Sequence, residues 1–530
     1  MDSHNKPTQI SDLLFAAAEK WPEKPAITFR EKTQNWLETK NRCHAAATIL
    51  QRVGVKSGDR VAFLGLNSNV CFETYYSPAL LGATMVPINY RLALREMIEC
   101  VQDCTPTVLL VGENYLDQAR QLQESCDSMT TIISCGDIEI PDDMLSYEQH
   151  VGEIISNNEY CELSPSVGEE TVIIFYTGGT TGRSKGVMLS SNNFQCNTLC
   201  SIPLYRMQQH WAFLVIGPLF HLAAGSRVFS CTALGGHAVI LPKFDVTALM
   251  ESVEKYQINS ATLVPTMYQM ILDHPDLANY DLSSLKMLAS GAAPLSIALL
   301  SRIIQSFPTT EFFQTYGMTE ASPILTSLDS KYHVLEGPNA NKLGSVGRVV
   351  KHVELFIADE NDNEVPPNTV GQILARGDNI MTGYWHLSEQ TEEALKDGWY
   401  HTGDAGYLDE EGFLFLEGRV KDMIVSGGEN IYPIEVENVL EDHPAIYQCA
   451  VIGIPHDTWG EAVHAVVLLK DGFSISEEEL IKFCKEQIAS YKCPVSITFR
   501  EEPMPLSPIN KILKTELRKP FWEGRDSKLV

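Results

Sequence analysis

The segment Val172-Ile173-Ile174-Phe175-Tyr176-Thr177-Gly178-Gly179-Thr180-Thr181-Gly182-Arg183-Ser184-Lys185-Gly186-Val187-Met188-Leu189 constrains this chain more than any other. Four strand-prone residues, Val172 to Phe175, run into three glycines and three threonines; a lysine follows, and the apolar pattern then resumes. Glycines let the backbone come close to a ligand, while threonine hydroxyls and amide N–H groups donate to phosphate oxygens. Lys185 adds a mobile positive charge. The pattern predicts a phosphate-binding loop built from Thr177, Gly178, Gly179, Thr180, Thr181, Gly182 and Lys185. It is not the loop of P-loop nucleotide hydrolases, which requires Gly-Lys-Ser/Thr in direct succession, because Arg183 and Ser184 separate Gly182 from the lysine.

A chain of 530 residues exceeds what one hydrophobic core supports, so two or more domains are expected. No apolar run reaches the roughly 18 to 20 residues of a membrane span, so no integral membrane segment is expected. The amino terminus, Met1 to Thr8, lacks an apolar core behind a basic start, so no secretory signal is expected and a cytoplasmic location is. The net charge of −28 opposes nonspecific binding to nucleic acid or to an anionic membrane. Any anionic substrate must therefore be held by local charges and amides. The 13 cysteines are odd in number and scattered. Cys100/Cys104 and Cys196/Cys200 are spaced like one face of a helix but lack the nearby His or further Cys of a metal site, and reduced, mostly buried thiols are expected.

Residues 11 to 53 read as a helix, a short strand at Pro25 to Phe29 and a second helix, with Trp21-Pro22 ending the first. Gly58 to Gly65 reads as a turn into a buried strand, Tyr75 to Gly82 as a helix on it, and Val108 to Val111 and Ile132 to Ser134 as further strands. Apolar strands alternating with helices predict a mostly parallel α/β sheet. Strand-like segments also flank Phe220-His221-Leu222, and Ala261 to Val264, Leu288 to Gly291 and Glu311 to Phe313 continue the α/β texture. After about residue 345, short strands punctuated by Gly, Asn, Asp and Pro predict antiparallel structure. The last 110 residues or so read as a small α+β unit.

Further motifs carry chemistry. At Gly291-Ala292-Ala293-Pro294 small residues follow a strand, so a planar base can lie flat on the turn. Gln314-Thr315-Tyr316-Gly317-Met318-Thr319-Glu320 joins an aromatic ring, hydroxyls and a carboxylate. Tyr400-His401-Thr402-Gly403-Asp404 and Gly418-Arg419-Val420-Lys421-Asp422 supply a carboxylate able to accept both hydroxyls of a diol and an arginine fork able to reach ribose and phosphate oxygens. Near the carboxy terminus stands Pro505-Leu506-Ser507-Pro508-Ile509-Asn510-Lys511-Ile512.

In this order the motifs resemble those of the adenylate-forming enzymes, the acyl-CoA synthetases, luciferases and peptide-synthetase adenylation domains. Two departures stand out: Gly178 replaces the usual Ser, removing a hydroxyl donor but leaving the amide, and Asn510 replaces the usual Gly, which Asn can mimic in left-handed conformations. The resemblance implies an acyl-CoA synthetase-like fold, with a large N-terminal AMP-binding region of α/β subdomains plus a β-rich subdomain at residues 1–420. A small mobile α+β C-terminal domain, residues 421–530, would rotate about Lys421. It also implies that Tyr316 stacks on adenine, that Thr319 touches the α-phosphate, that Glu320 and Thr177 serve Mg²⁺, and that Asp404 and Arg419 hold the ribose. Lys511 would be the catalytic lysine of adenylation, and Gly427 and Gly428 would face the thiol channel in the second step.

The activity implied is two-step: acid and MgATP give acyl-adenylate and pyrophosphate, and coenzyme A then displaces AMP. The segment Gly427 to Glu437 resembles the CoA-ligase version of its motif. His221 matches the His of Pro-x-Phe-His, which borders the acyl pocket. Ala223, Ala224 and Gly225, with Val264, Thr266 and Met267, predict an apolar, fairly roomy cavity. The expected substrate is a medium- or long-chain fatty acid, with an aryl acid second. Loading of a carrier protein, a silent binding protein and an ATP hydrolase or kinase are the alternatives, no carrier domain being expected after Val530. A homodimer is the expected assembly.

Overall fold

The computed structural model describes residues 9–136, 138–166, 168–177, 184–291, 295, 297–426, 429–456, 458–506 and 512–523, the side chains of 421, 429 and 430 excepted. Among them two large sheets dominate. The first has eight strands in the order Gly383–Tyr384, Lys185–Ser190, Thr171–Thr177, Thr84–Ile88, Arg60–Leu64, Val108–Gly112, Thr131–Cys135, Leu145–Ser146. From Thr171–Thr177 onward its neighbours are parallel, and these strands are the apolar runs of the sequence because both sheet faces are covered.

The second sheet has nine strands. Its parallel centre runs Glu311–Gly317, Met287–Ser290, Ser260–Leu263, Ala212–Val215, His237–Ile240, Pro25–Phe29. Helices Ser191–Leu204 and Leu222–Ala233 are packed together through Phe194 and Phe229, with ring centroids 4.6 Å apart, and through Ser201 and Ser230, with hydroxyls 3.0 Å apart. In open parallel sheets ligands gather beyond the carboxyl ends of the strands. Thr177, Gly291 and Gly317 all lie there.

One expected element is displaced. The helix read at Tyr75 to Gly82 is instead Asn69–Thr74, N-capped by Ser68, whose hydroxyl accepts from Cys71 N at 3.1 Å. A short 3₁₀ turn at Ala79–Leu81 follows, ended by Gly82 at φ 71°. Pro78 has no N–H to offer a continuing helix, so the chain breaks into two pieces there.

Residues 353 to 419 form the expected antiparallel unit, four strands ordered Val353–Ala358, Gly371–Gly377, Tyr400–Leu408, Leu414–Arg419. Sheet membership then changes. Ile424–Ser426 pairs with Glu429–Ile431 and touches Gly460–Leu469, which pairs with Ile446–His456 and Ser496–Arg500. Helices Pro433–Glu441, Glu477–Gln487 and Lys514–Trp522 complete this α+β unit. Ser476 caps the second with a reciprocal Ser476–Glu479 box. Among the described residues no helix is long and apolar enough to cross a membrane.

Candidate active site

The strands on either side of the glycine-threonine loop form an antiparallel pair, with Thr177 opposite Lys185. Thr177 Oγ1 lies 3.5 Å from the Lys185 carbonyl oxygen. Gly178, Gly179, Thr180, Thr181 and Gly182 lie outside the described residues, so the frame of the loop is on view and its interior is not. Gly186 is glycine for a packing reason: a Cβ there would sit 2.8 Å from Ile174 Cγ2 and 3.2 Å from Trp385 Cβ. Its carbonyl accepts from Trp385 N at 2.7 Å, which seats the Gly383–Tyr384 strand on the edge of the sheet. That seating puts the Tyr384 ring beneath Lys185, whose Nζ is 4.7 Å from the ring centroid.

The second wall comes from Met287–Ser290 and Glu311–Gly317, parallel neighbours that place Ser290 beside Gln314. Ser290 Oγ and Gln314 Oε1 are buried and have no hydrogen-bond partner among the described residues. Buried polar atoms are rarely left so, and two together at the strand ends fit a bound polar ligand. At Gly291 a Cβ would come 2.9 Å from Thr315 Oγ1, so the glycine keeps this surface flat. Ala292, Ala293 and Pro294, expected to continue the turn, lie outside the described residues. Gly317 is tighter, since a Cβ there would be 1.8 Å from the Pro323 carbonyl oxygen. The chain then turns through Thr319–Ala321, which carries Glu320.

The carboxylates are brought together by the four-stranded sheet. Asp404 and Arg419 face each other across its hairpin. Arg419 Nε donates to Asp404 Oδ1 at 2.7 Å, and Tyr316 Oη donates to Asp404 Oδ2 at 2.8 Å. Two donors thus fix the plane of the carboxylate. Burial works against the Arg419 charge, but Asp404 and its neighbours hold the guanidinium above its ordinary value. Tyr316 is only 7% exposed, so its ring is largely walled in while its hydroxyl holds Asp404. Nearby, Tyr384 Oη donates to Glu320 Oε1 at 3.1 Å, and Tyr400 Oη lies 3.1 Å from Met318 Sδ. Burial raises the Glu320 carboxyl above the usual carboxylate range, with the Tyr384 hydroxyl and Arg419 pulling it back. A carboxylate penalised by burial and met by a neutral phenol suits a divalent cation, which would supply the missing positive charge.

His221 is the N-cap of Leu222–Ala233, its Nδ1 accepting from Ala223 N at 3.3 Å. The open space predicted behind it is partly filled. A Cβ on Gly225 would meet the Tyr75 hydroxyl at 2.1 Å, so this glycine makes room for a tyrosine rather than for a ligand. Phe220, next to His221, meets Tyr90 edge to face at 5.0 Å. Lys511, Gly427 and Gly428 lie outside the described residues, as does the side chain of Lys421. Leu506 and Ile512, flanking the lysine motif, form an antiparallel bridge.

Sequence reasoning missed Tyr384 altogether and gave Tyr400 no role. Nothing in spacing or composition marks Tyr384; it reaches the site through a strand pairing distant in sequence. Ser290 was legible only as the last residue of a strand, and its orphaned hydroxyl needs the neighbouring strand to be noticed.

The pattern that defines the AMP-binding enzyme family matches residues 14–385, and that of the AMP-binding enzyme C-terminal domain matches residues 435–511. The chain belongs to this family. It is similar to a feruloyl-CoA synthase from an Amycolatopsis species, at 36% identity over 501 residues, covering 94% of this chain and 96% of the relative. A long-chain-fatty-acid–CoA ligase from Bacillus subtilis is 32% identical over 534 residues, with 96% and 94% covered. The fold matches o-succinylbenzoate CoA synthetase from Bacillus subtilis, solved with its acyl-adenylate, at a TM-score of 0.84 and 28% identity, covering 98% of this chain and 99% of that one. The chain is an AMP-forming acid–CoA ligase, and the substrates and ion of that class are ATP, coenzyme A and Mg²⁺.

Proposed function

We propose that this ligase activates an apolar monocarboxylic acid, with an aromatic acid of the hydroxycinnamate kind as the first substrate to test and a medium- or long-chain fatty acid as the second. The reading of the site rests on one observation: Asp404 held between Tyr316 and Arg419, beside Glu320 and Tyr384, at strand ends that also carry Gly291 and Lys185. The order of substrates rests on two others. The wall behind His221 is aromatic and partly closed by Tyr75, which favours a flat ring over a long flexible chain. The relative named for feruloyl-CoA is also closer in sequence than the one named for long-chain fatty acids.

In this reading Asp404 and Arg419 hold the ribose, Ser290, Gln314 and Gly291, with the small residues Ala292, Ala293 and Pro294 that follow in sequence, take the base, and Thr315, Gly317 and Thr319 line the way to the phosphates. Lys185 and the loop Thr177 to Gly182 take the triphosphate, with Glu320 and Thr177 available to Mg²⁺, whose charge when bound offsets that of the phosphates. An acid oxygen attacks the α-phosphorus as the bond to pyrophosphate breaks, and Lys511 steadies the charge that moves. The thiol of CoA then attacks the acyl carbon and AMP leaves. Residues 1–420 and 421–530 act as the two units, and rotation about Lys421 exchanges Lys511 for the Gly427-Gly428 loop between steps.

The test is acid-dependent exchange of labelled pyrophosphate into ATP, run over a panel of aromatic and aliphatic acids, followed by thioester formation with CoA. Hydroxycinnamates are expected to support exchange best. Exchange or hydrolysis independent of any acid would overturn the assignment, and thioester formed on a carrier protein but not on CoA would overturn the second step. Stronger exchange with C8 to C16 fatty acids would reverse the substrate order.

A further inference from the structure

Tyr384 touches two charged groups of the site with two different parts of its side chain. Its ring lies under Lys185, with Nζ 4.7 Å from the ring centroid, and its hydroxyl donates to Glu320 Oε1 at 3.1 Å. The backbone that carries it is fixed on both sides. Tyr384 pairs with Val187 in the ladder, and its N–H donates to Thr391 Oγ1 at 2.9 Å. The next residue, Trp385, donates from its N–H to the Gly186 carbonyl oxygen at 2.7 Å and from Nε1 to the Asp103 carbonyl oxygen at 3.1 Å. Glu320 is tied to the same segment, because its carbonyl accepts from Met381 N at 2.8 Å. The tyrosine is 8% exposed, so its ring has little room to swing away.

Among the described residues no ion pair joins Lys185 to Glu320, although both meet this one side chain. Such a pair would cancel two charges where the proposed function needs a cation for the triphosphate and an anion for Mg²⁺. Tyr384 engages each without cancelling either: a π face attracts an ammonium, and a phenol, protonated at neutral pH, is a neutral donor to a carboxylate. From this geometry we infer that Tyr384 is a positioning residue of adenylation, which holds the Lys185 ammonium with its ring and the Glu320 carboxylate with its hydroxyl, and keeps the two apart. This role rests on those proposed above for Lys185 and Glu320.

The test is calorimetry on the full-length protein with AMP and with a nonhydrolysable ATP analogue, the analogue with and without Mg²⁺. Tyr384→Phe keeps the ring and loses the hydroxyl. It is expected to bind the analogue as wild type does without Mg²⁺, and to lose about fivefold of the affinity that Mg²⁺ adds. Tyr384→Leu loses the ring as well, and its affinity without Mg²⁺ is expected to fall about fivefold, the strength of one cation–π contact. AMP lacks the outer phosphates, and its affinity is expected to be unchanged in both. In a Lys185→Ala background Tyr384→Phe and Tyr384→Leu are expected to bind the analogue equally without Mg²⁺, and in a Glu320→Ala background Tyr384→Phe is expected to add no further loss. A ring effect that persists without Lys185, a Mg²⁺ gain untouched by Tyr384→Phe, or equal losses for AMP and the analogue would each overturn the inference. Should Tyr384→Leu fail to fold, Tyr384→Phe decides, alone and with Glu320→Ala. If Lys185→Ala and Glu320→Ala themselves leave the affinity for the analogue unchanged, the reading of the site falls and this role with it; if they lower it and the Tyr384 variants do not, this role falls alone.

Discussion

Asp404→Ala is the perturbation whose size the structure sets most directly. In the folded chain the carboxylate takes Tyr316 Oη on one oxygen and Arg419 Nε on the other, at 2.8 and 2.7 Å. If it also takes the ribose hydroxyls, its removal deletes a charge-assisted pairing worth about 1.5 to 3 kcal/mol, a loss of about tenfold to a hundredfold in affinity. AMP and ATP carry the same ribose, so calorimetry with AMP and with a nonhydrolysable ATP analogue is expected to show equal losses. The folding cost is of similar size and comes from one group. The Arg419 side chain is 46% exposed and stays hydrated, and the buried Tyr316 hydroxyl loses its acceptor at a cost of about 1 to 3 kcal/mol. Tyr316→Phe removes one orienting bond and keeps the charge, so its expected loss is nearer fivefold, about 1 kcal/mol. A folded Asp404→Ala protein with unchanged AMP affinity would refute the reasoning, and so would a loss confined to ATP.

Lys185→Ala is expected to show the complementary pattern, raising the requirement for ATP about tenfold while leaving AMP affinity and the requirement for acid nearly as they were; equal ATP dependence in wild type and variant would count against a phosphate role. Glu417 makes a pH prediction, because burial and then Glu435 raise its carboxyl from 4.5 to about 7. Between those values the folded chain keeps a proton that the unfolded chain has released, so this contribution to stability falls as pH rises from 4.5 to 7 and is constant above. Comparison of Glu417→Gln with wild type by urea unfolding at pH 5 and pH 8 is expected to show a difference of about 1 to 2 kcal/mol in the pH effect, solvent screening having reduced the full shift; parallel profiles would disprove it. Gly317→Ala drives a methyl to within 1.8 Å of the Pro323 carbonyl oxygen and is expected to cost several kcal/mol, about 3 or more, read as a lowered unfolding midpoint; a wild-type midpoint would show that the strand end yields. Lys511→Ala is expected to slow adenylate formation by orders of magnitude yet still convert presynthesised acyl-adenylate and CoA to thioester, while Lys421→Pro, by fixing φ at the hinge, does the reverse. Parallel loss of both half-reactions in both variants would remove the rotating-domain reading.

How far the sequence could be read varies by element, for physical reasons. The parallel strands were legible because burial on both faces makes them continuous apolar runs, as at Val108 to Val111 and Val172 to Phe175. The helix at Tyr75 to Gly82 was misplaced because apolar periodicity continues straight through Pro78, and only the missing N–H ends it. The Asp404 and Arg419 pairing lies between these cases. The turn joining their strands is readable: Asp409 accepts from Glu411 N and Phe413 N, both at 2.9 Å, and Gly412 sits at φ 77°. Counting back from that turn pairs Leu408 with Leu414, Tyr407 with Phe415 and Gly406 with Leu416. The same register carried two steps further would set Ala405 opposite Glu417 and Asp404 opposite Gly418, and send Arg419 to the other face of the sheet. It does not continue, because a bulge intervenes: Ala405 pairs with Gly418, skipping Glu417, and Asp404 pairs with Arg419. Gly418 at φ 116° is the residue that permits this backbone. A one-residue slip changes the face of every side chain beyond it, so the ion pair at the centre of the site exists only because of an irregularity that no hydrophobic pattern encodes. The same bulge leaves Glu417 unpaired in the ladder, and it is burial there, with the charge of Glu435 second, that raises its carboxyl and sets the pH dependence argued above.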